Sequence, residues 1–585
     1  MNQTLKDSKS MQSLSGNSMQ SKVQQELEQY QHRIIIQKVP QFVVSEILET
    51  SIVEIVKAVT NIIVFSLYMF HFGYKITADL VFTYPFLEIV LVTVPKSGIQ
   101  ASATKLAMFL YHNQITAAKV YTTYLVTLYL IVVIGLQLSV GMFSQTLLQN
   151  YVDQAVIDYF KLVLCCGVVS ESMQAMLNLF LYAENRIFEQ YVLQISQCVL
   201  HLIILLVSFL VLDTQNKTED TQTAVKYAAV ARVLSYAVAN AYFFYRLFAP
   251  ISQSHLSYRF SYMSPFRIQI FFVMLRDFIV RFIGDMLIPC VKIAVVIFYK
   301  FMSHNNSGYG QLSLIAFQFF IYSFILTNTF TISAYLSLRH PIDVNKSLNL
   351  HHRVYDILIY GFIISLVLTT MIALLLYCFI PSLLEILFVQ YVDRDLQYQF
   401  SDIVLFTKFS VIPAVVMPGY YFTCMYAESH NVVHYKNILI LLSYFMGVAL
   451  IVDFFKTFED YDYTQFLFYT YLSQALTGLL LFYYIMKQLK IIVLTTYKQE
   501  QHDLDQSESR KEPVHTEDAI SLELEAVEFQ NSGTQKSGTV LPAVVEETYA
   551  FDFSKSGIDD MEELTNKTNK FQKNKEASES TSALV

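Results

Sequence analysis

Tyr151-Val152-Asp153 stands 31 residues before Tyr182-Ala183-Glu184, and Tyr391-Val392-Asp393 stands 35 residues before Tyr426-Ala427-Glu428. Each second triplet is followed nine residues on by another tyrosine, Tyr191 and Tyr435. The two sets lie about 240 residues apart, and apolar runs long enough to cross a bilayer fill the chain between and after them. The same block of membrane spans is therefore written twice. Internal repeats of this kind are a recurring sign of secondary transporters, in which two bundles rock around a shared central site.

Working outward, the composition is that of a polytopic membrane protein. Of 585 residues 54% are hydrophobic and only 15% are charged, too few charges for the surface of a soluble chain of this length. A window of about 20 residues, the length that spans a bilayer as a helix, places spans near 43–70, 78–108, 118–146, 156–181, 188–212 and 224–248. A second set follows near 268–300, 311–338, 353–388, 400–425, 433–455 and 464–489. The expected fold is all-α, with twelve transmembrane helices in two six-helix bundles around a central cavity. Six is even, so both halves enter the membrane from the same side and the repeat is parallel.

The boundaries follow. Residues 1–42 form a polar N-terminal segment, 43–250 the first bundle, 251–267 a linker, 268–490 the second bundle, and 491–585 an acidic tail. The tail carries 19 Asp and Glu against 9 Lys and Arg, and its polar composition predicts disorder. Residues 22–38 could lie as an amphipathic helix at the membrane surface. The six cysteines all fall in apolar runs without metal-type spacing and read as buried small hydrophobes. Basic residues gather in the loops after the even-numbered spans, including Lys119, Arg246, Lys346 and Lys436, whereas loops after spans five, nine and eleven are acidic. Both termini are therefore expected in the cytoplasm of a multi-pass protein of the plasma membrane or an endomembrane.

Two segments carry a family resemblance. His71-Phe72-Gly73 through Ala78-Asp79-Leu80 resembles the His-Leu-Gly segment of the multidrug and toxin extrusion (MATE) transporters, and Gly98-Ile99-Gln100-Ala101-Ser102-Ala103-Thr104-Lys105-Leu106 resembles their Gly-Leu-Ala-Ser-Ala-Leu-Glu-Thr-Leu segment. The family's glycine-rich ending is replaced by Met108-Phe109-Leu110-Tyr111-His112-Asn113, which keeps only the tyrosine. The resemblance covers residues 43–490. It implies alternating access, with acidic residues of the first and seventh spans coupling transport to a cation.

Charges inside spans are costly and mark a functional path by default. On span one, Glu46, Thr50, Glu54, Lys57 and Asn61 share one helical face; on span seven, Asp277, Arg281, Asp285 and Lys292 do the same. The spacing predicts local pairs Glu54 with Lys57, Asp277 with Arg281 and Arg281 with Asp285. Glu88 lies in span two between Pro85 and Pro95, and Glu171 shares a face of span four with Gln174 and Asn178. The coupling or substrate candidates are Glu54, Lys57, Asn61, Glu88, Glu171, Asp277, Arg281 and Asp285, with sodium as a conceivable ligand of the carboxylates; the alternative is that the stripes tie each lead helix to its own bundle. His201 reads as a satisfied core histidine, and Pro413 and Pro418 as kinks.

The expected activity is proton- or sodium-coupled antiport of organic cations or xenobiotics by a monomer in the lipid bilayer, with no cofactor and no nucleic-acid partner. A lipid-linked oligosaccharide flippase of the same superfamily is the alternative, which the lysines and arginines of the stripes would suit. An intramembrane enzyme or a receptor is the reading from another class. There is no P-loop, His-Glu-x-x-His motif or glycine-rich dinucleotide turn to support an enzyme.

Overall fold

The computed structural model describes residues 37–111, 114–214, 221–248, 268–388, 410–429 and 464–509, apart from gaps at 168–169, 185 and 306–308, together with residues 34, 256, 404, 407, 408, 437 and 441. No strand occurs among the described residues, so the all-α class stands. Of the expected spans, 433–455 lies outside the described residues except for 437 and 441, as do nearly all of the segment 22–38 and the tail beyond Ser509. The other spans are all helical, in whole or in part. The described residues up to Met486 form one compact unit.

Spans one and two belong to a single helical run, Val39–Leu87, interrupted at Gly73. Gly73 has φ of 71° and ψ of 175°, a conformation that a side chain would strain and that glycine tolerates. The chain doubles back there. Tyr68 and Tyr84 flank the break and both lie beside Tyr159 and Tyr322, whereas a straight helix would hold them about 24 Å apart. The 60-residue apolar stretch Val39–Gly98 is therefore long enough, and bent sharply enough at Gly73, to supply both spans one and two. Among the described residues five stretches are long and apolar enough to cross a membrane, or six when the pair bent by 54° at Asn328 is joined.

Span two continues through a π-helical segment, Glu88–Thr93, into a helix at Val94–Tyr111. Pro85 removes a backbone donor just before the π segment and Pro95 just after its end, which explains why the regular hydrogen-bond ladder is loosened here. Span three has a second π segment, Leu130–Ile134, between Ile115–Tyr129 and Gly135–Leu148. Spans five, six and seven are Ile187–Thr214, Thr221–Phe248 and Ile268–Asn305. Span eight is the bent pair Tyr309–Thr327 and Thr329–Ser347, span nine is His351–Phe388, and span ten breaks at Met417 between Pro413 and Pro418.

Four expectations need correction. Span four is not continuous but forms two helices, Gln154–Cys165 and Glu171–Ala183. Span twelve runs on as Thr464–Ser509, well into the segment expected to be disordered; disorder was inferred from its inability to build a core, but glutamine, lysine and leucine without proline or glycine favour a helix regardless. Of the cysteines, only Cys198 and Cys424 are buried, while Cys165, Cys290 and Cys378 are exposed, because an apolar thiol is as compatible with a lipid-facing surface as with a core. His201 is buried, but its Nε2 has no hydrogen-bond partner.

Candidate functional site

Both Tyr-Ala-Glu triplets hold a paired glutamate, while Tyr391-Val392-Asp393 lies outside the described residues. Glu184 of the first Tyr-Ala-Glu pairs with Arg186 at 3.1 Å and accepts from the backbone of Leu256 at 3.0 Å. Glu428 of the second pairs with Arg339 at 2.9 Å and accepts from the Tyr335 hydroxyl at 2.7 Å. Both glutamates are buried. Asp153, from the first Tyr-Val-Asp, caps span four by accepting from Ala155 N at 3.0 Å. These marks recur because they close helix ends, where a charge paired at once is the least costly anchor.

The intramembrane charges are arranged differently from what helical spacing alone suggests. Span two and span seven lie side by side and antiparallel, joined by a series of polar contacts. Asp79 meets Lys300 at 2.5 Å, Glu88 meets Lys292 at 2.8 Å, Ser97 donates to Asp285 at 2.9 Å, and Lys105 meets Asp277 at 2.8 Å. As the number on span two rises through 79, 88, 97 and 105, the partner on span seven falls through 300, 292, 285 and 277. Successive rungs are about two helical turns apart, and the whole series extends for about 39 Å, somewhat more than a hydrocarbon core of about 30 Å. We call this series the ionic seam.

Its middle rung is the most distinctive. The Lys292 ammonium donates to both carboxylate oxygens of Glu88, each at 2.8 Å. Glu88 opens the π segment of span two, and the Tyr471 ring of span twelve is within electrostatic reach of it. Its side chain is 35% exposed, whereas that of Lys292 is 12% exposed. At the Gly73 end the Asp79–Lys300 pair is nearly sealed; at the far end Lys105 and Asp277 are 43% and 27% exposed. The helices come close because Gly98 has no side chain: a Cβ there would stand 3.3 Å from the Phe278 ring. A small apolar cavity between spans two, three and seven is lined by Pro95, Gly98, Leu128, Tyr129 and Phe278 among others.

Span seven therefore directs its stripe at the other half of the molecule. Asp277 reaches across to Lys105 and sideways to Arg276, at 3.2 Å, instead of along the helix to Arg281. Asp277 and Asp285 bond instead to Lys105 and Ser97 across the seam; the expected i,i+4 pairs with Arg281 would contribute only about 0.2–0.5 kcal/mol each, too little to hold them along the helix. Arg281 is buried near Arg339, Glu428, Tyr335 and Asp285, and its Nη1 has no hydrogen-bond partner.

Span one behaves otherwise. The predicted Glu54–Lys57 pair is present at 2.6 Å. Around it, the Thr50 and Tyr191 hydroxyls are 2.6 Å apart, and Cys198 lies within electrostatic reach of Glu54 and Lys57. Tyr191 and Cys198 belong to span five, so this stripe faces its own half. Asn61 is exposed and stands apart from both groups. Where span one meets span eight the contacts are aromatic: Phe65 packs edge-on against Phe319 at 5.1 Å and Tyr322 at 5.6 Å.

Glu171 joins neither stripe. Standing at the start of the second helix of span four, it pairs with Arg232 of span six at 2.6 Å, and Arg232 also donates to the Tyr159 hydroxyl at 3.1 Å. Asn178 accepts from Gln194 at 3.4 Å. Sequence reasoning missed Arg232, which is one basic residue in an otherwise unremarkable apolar run, and it missed Asp79 and Lys105 of span two and Lys300 of span seven as partners across the seam. The antiparallel order of opposite charges on spans two and seven is the signal that could have found the last three.

No protein-family model matches this sequence, and no curated protein matches it either. Solved structures do. The chain superposes on a MOP superfamily transporter from Pyrococcus furiosus, described as having a binding pocket of reverse polarity that suggests a different function, with a TM-score of 0.64 and 14% identity over 78% of this chain and 98% of that one. A MATE protein in complex with MaL6 gives 0.62, also at 14% identity, covering 78% and 98%. An outward-facing multidrug resistance MATE family transporter of the MOP superfamily gives 0.62 at 14% identity, covering 77% and 97%. The resemblance seen in residues 71–106 thus extends to the whole fold, the twelve-helix, two-bundle architecture of these proteins.

Proposed function

We propose that this chain is a secondary transporter that works by alternating access between its two six-helix halves, 43–250 and 268–490, and that it exchanges a proton or a sodium ion for a small organic cation. The observation that carries the reading is the ionic seam. Charges at membrane depth are retained where they do work, and here they lie between the two bodies that a transporter of this fold would move apart. Opening either end of the seam exposes carboxylates to one side of the membrane, where they take up a cation. Glu88, Asp277 and Asp285 are the carboxylates of that path, with Glu54 and Glu171 as exchange groups inside the first half. The protein acts as a monomer with both termini in the cytoplasm.

The test is uptake of a fluorescent organic cation by vesicles holding the purified protein under an imposed pH or sodium gradient. Uptake that follows either gradient supports the reading, and uptake indifferent to both refutes it. One observation favours a second reading, a flippase for lipid-linked anionic oligosaccharides: Lys105, Lys292, Lys300 and Arg281 all face the seam region. Scrambling of labelled glycolipid without a gradient would select it.

A further inference from the structure

We propose that Lys292 is a built-in competitor for the coupling cation at Glu88, so that the same carboxylate either closes the two halves together or binds the cation, and never does both. The proposal rests on the transport reading above. Its basis is the geometry of one rung. Both oxygens of Glu88 are occupied by a single ammonium 2.8 Å away, and that ammonium comes from the opposite half of the molecule. A proton or sodium ion reaching Glu88 needs at least one of those oxygens, and must take it from Lys292.

Three features make the exchange feasible at this rung. Glu88 is the more open partner, 35% exposed against 12%, so a cation arrives at the carboxylate while the lysine stays anchored in its helix. The carboxylate stands on the first residue of the π segment Glu88–Thr93, where backbone pairing is already irregular and a small shift of the side chain breaks no ideal helical turn. The charges are balanced: Lys292 on span seven and the hydroxyl-bearing Tyr471 on span twelve face Glu88, and neither supplies a second negative charge. Once a cation holds Glu88, the middle of the seam has lost its tie. The rungs at Asp79–Lys300 and Lys105–Asp277 then separate from whichever end the halves open. When Lys292 returns, the cation is expelled. This mutual exclusion links cation binding to movement, which is what a coupled transporter requires. Lys292 is a positioning residue here and touches no substrate.

The test compares wild type with Lys292→Met, reading the proton or sodium concentration that gives half-maximal uptake and the amide hydrogen exchange of residues 79–105. A cation can take Glu88 only by displacing the ammonium that holds both of its oxygens. Removing Lys292 should therefore lower the cation concentration for half-maximal rate severalfold, with a reduced maximal rate. Exchange in span two should quicken when cation is added to wild type, and should be fast without it in Lys292→Met. Since this variant leaves a carboxylate without its partner, Glu88→Gln with Lys292→Gln is measured beside it; it should fold and show uptake and exchange that ignore the cation. An unchanged half-maximal concentration in Lys292→Met, or a wild-type cation response in the double amide, would overturn the proposal. Should wild type transport nothing under either gradient, the transport reading falls, and cation-dependent exchange in span two still decides the competition.

Discussion

Spans one and seven occupy equivalent places in the repeat and carry equivalent charged stripes, yet they serve different neighbours. The stripe of span one is satisfied at home, by the Glu54–Lys57 pair and by Tyr191 of span five. Three members of the span seven stripe, Asp277, Asp285 and Lys292, reach the other half, through Lys105, Ser97 and Glu88 of span two, while Arg281 stays among Arg339, Glu428 and Tyr335 of its own half. A duplicated sequence has thus produced two seams of different character: an aromatic one between spans one and eight, and an ionic one between spans two and seven. The lesson is that a repeat conserves the layout of helices more strictly than the use of each face. The ionic seam is held by contacts that a cation or water can replace, whereas the contacts of Phe65 with Phe319 and Tyr322 are apolar, so the two are expected to respond to different stimuli.

The largest effect should come from placing like charges on the middle rung. Either Glu88→Lys or Lys292→Glu sets two equal charges where the partners now stand 2.8 Å apart; removing one partner from a fully buried pair costs about 3–5 kcal/mol, an upper bound for this half-buried one. Each single variant should therefore lose folded protein in a detergent thermal-shift assay. The swapped double, Glu88→Lys with Lys292→Glu, should recover the melting transition. A swap as unstable as its parents would mean that the pair is not an independent tie.

Next comes the sealed rung. Asp79→Asn leaves Lys300 buried against a neutral amide and removes one acceptor of the Asp153 backbone N–H; a stability loss of about 3 kcal/mol is expected, visible in chemical denaturation. Span one provides the contrast. Glu54→Gln breaks a local i,i+3 pair that contributes only about 0.2–0.5 kcal/mol, so stability should hardly change, while gradient-driven uptake should disappear if Glu54 is an exchange group. If Glu54→Gln transports normally, span one's stripe is purely structural and the contrast with span seven sharpens. If it destabilises the protein as much as Asp79→Asn does, the contrast breaks.

Much of this was legible in the sequence, for identifiable reasons. Apolar runs of about 20 residues are strong signals, and Tyr-Val-Asp and Tyr-Ala-Glu mark helix ends whose charges must be paired at once, as Glu184 and Glu428 are. The charged faces could be read as well. What those faces touch could not, because helical periodicity reports which residues share a side and says nothing of the neighbouring helix. Thus Asp277 was expected to pair with Arg281 and instead pairs with Lys105. The break in span four was hidden because an apolar run looks the same whether straight or broken. The helical extension to Ser509 was hidden because composition had been weighed only for burial.

The smallest effect is expected beyond that extension. Residues 510–585 are polar and acidic, and truncation after Ser509 should leave both the melting transition and vesicle uptake as they are. A truncated chain that folds but does not transport would make the tail part of the mechanism.

The central claim is that spans two and seven part during each cycle, and one measurement addresses it directly. In a chain whose six native cysteines are replaced, Gly98→Cys with Phe278→Cys puts two thiols where a Cβ at position 98 would stand 3.3 Å from the facing ring. After oxidation has cross-linked them across the seam, uptake of the organic cation into vesicles is measured before and after reduction. The account predicts that the cross-linked protein is inactive and that reduction restores transport. A locked seam that transports at the reduced protein's rate would contradict it.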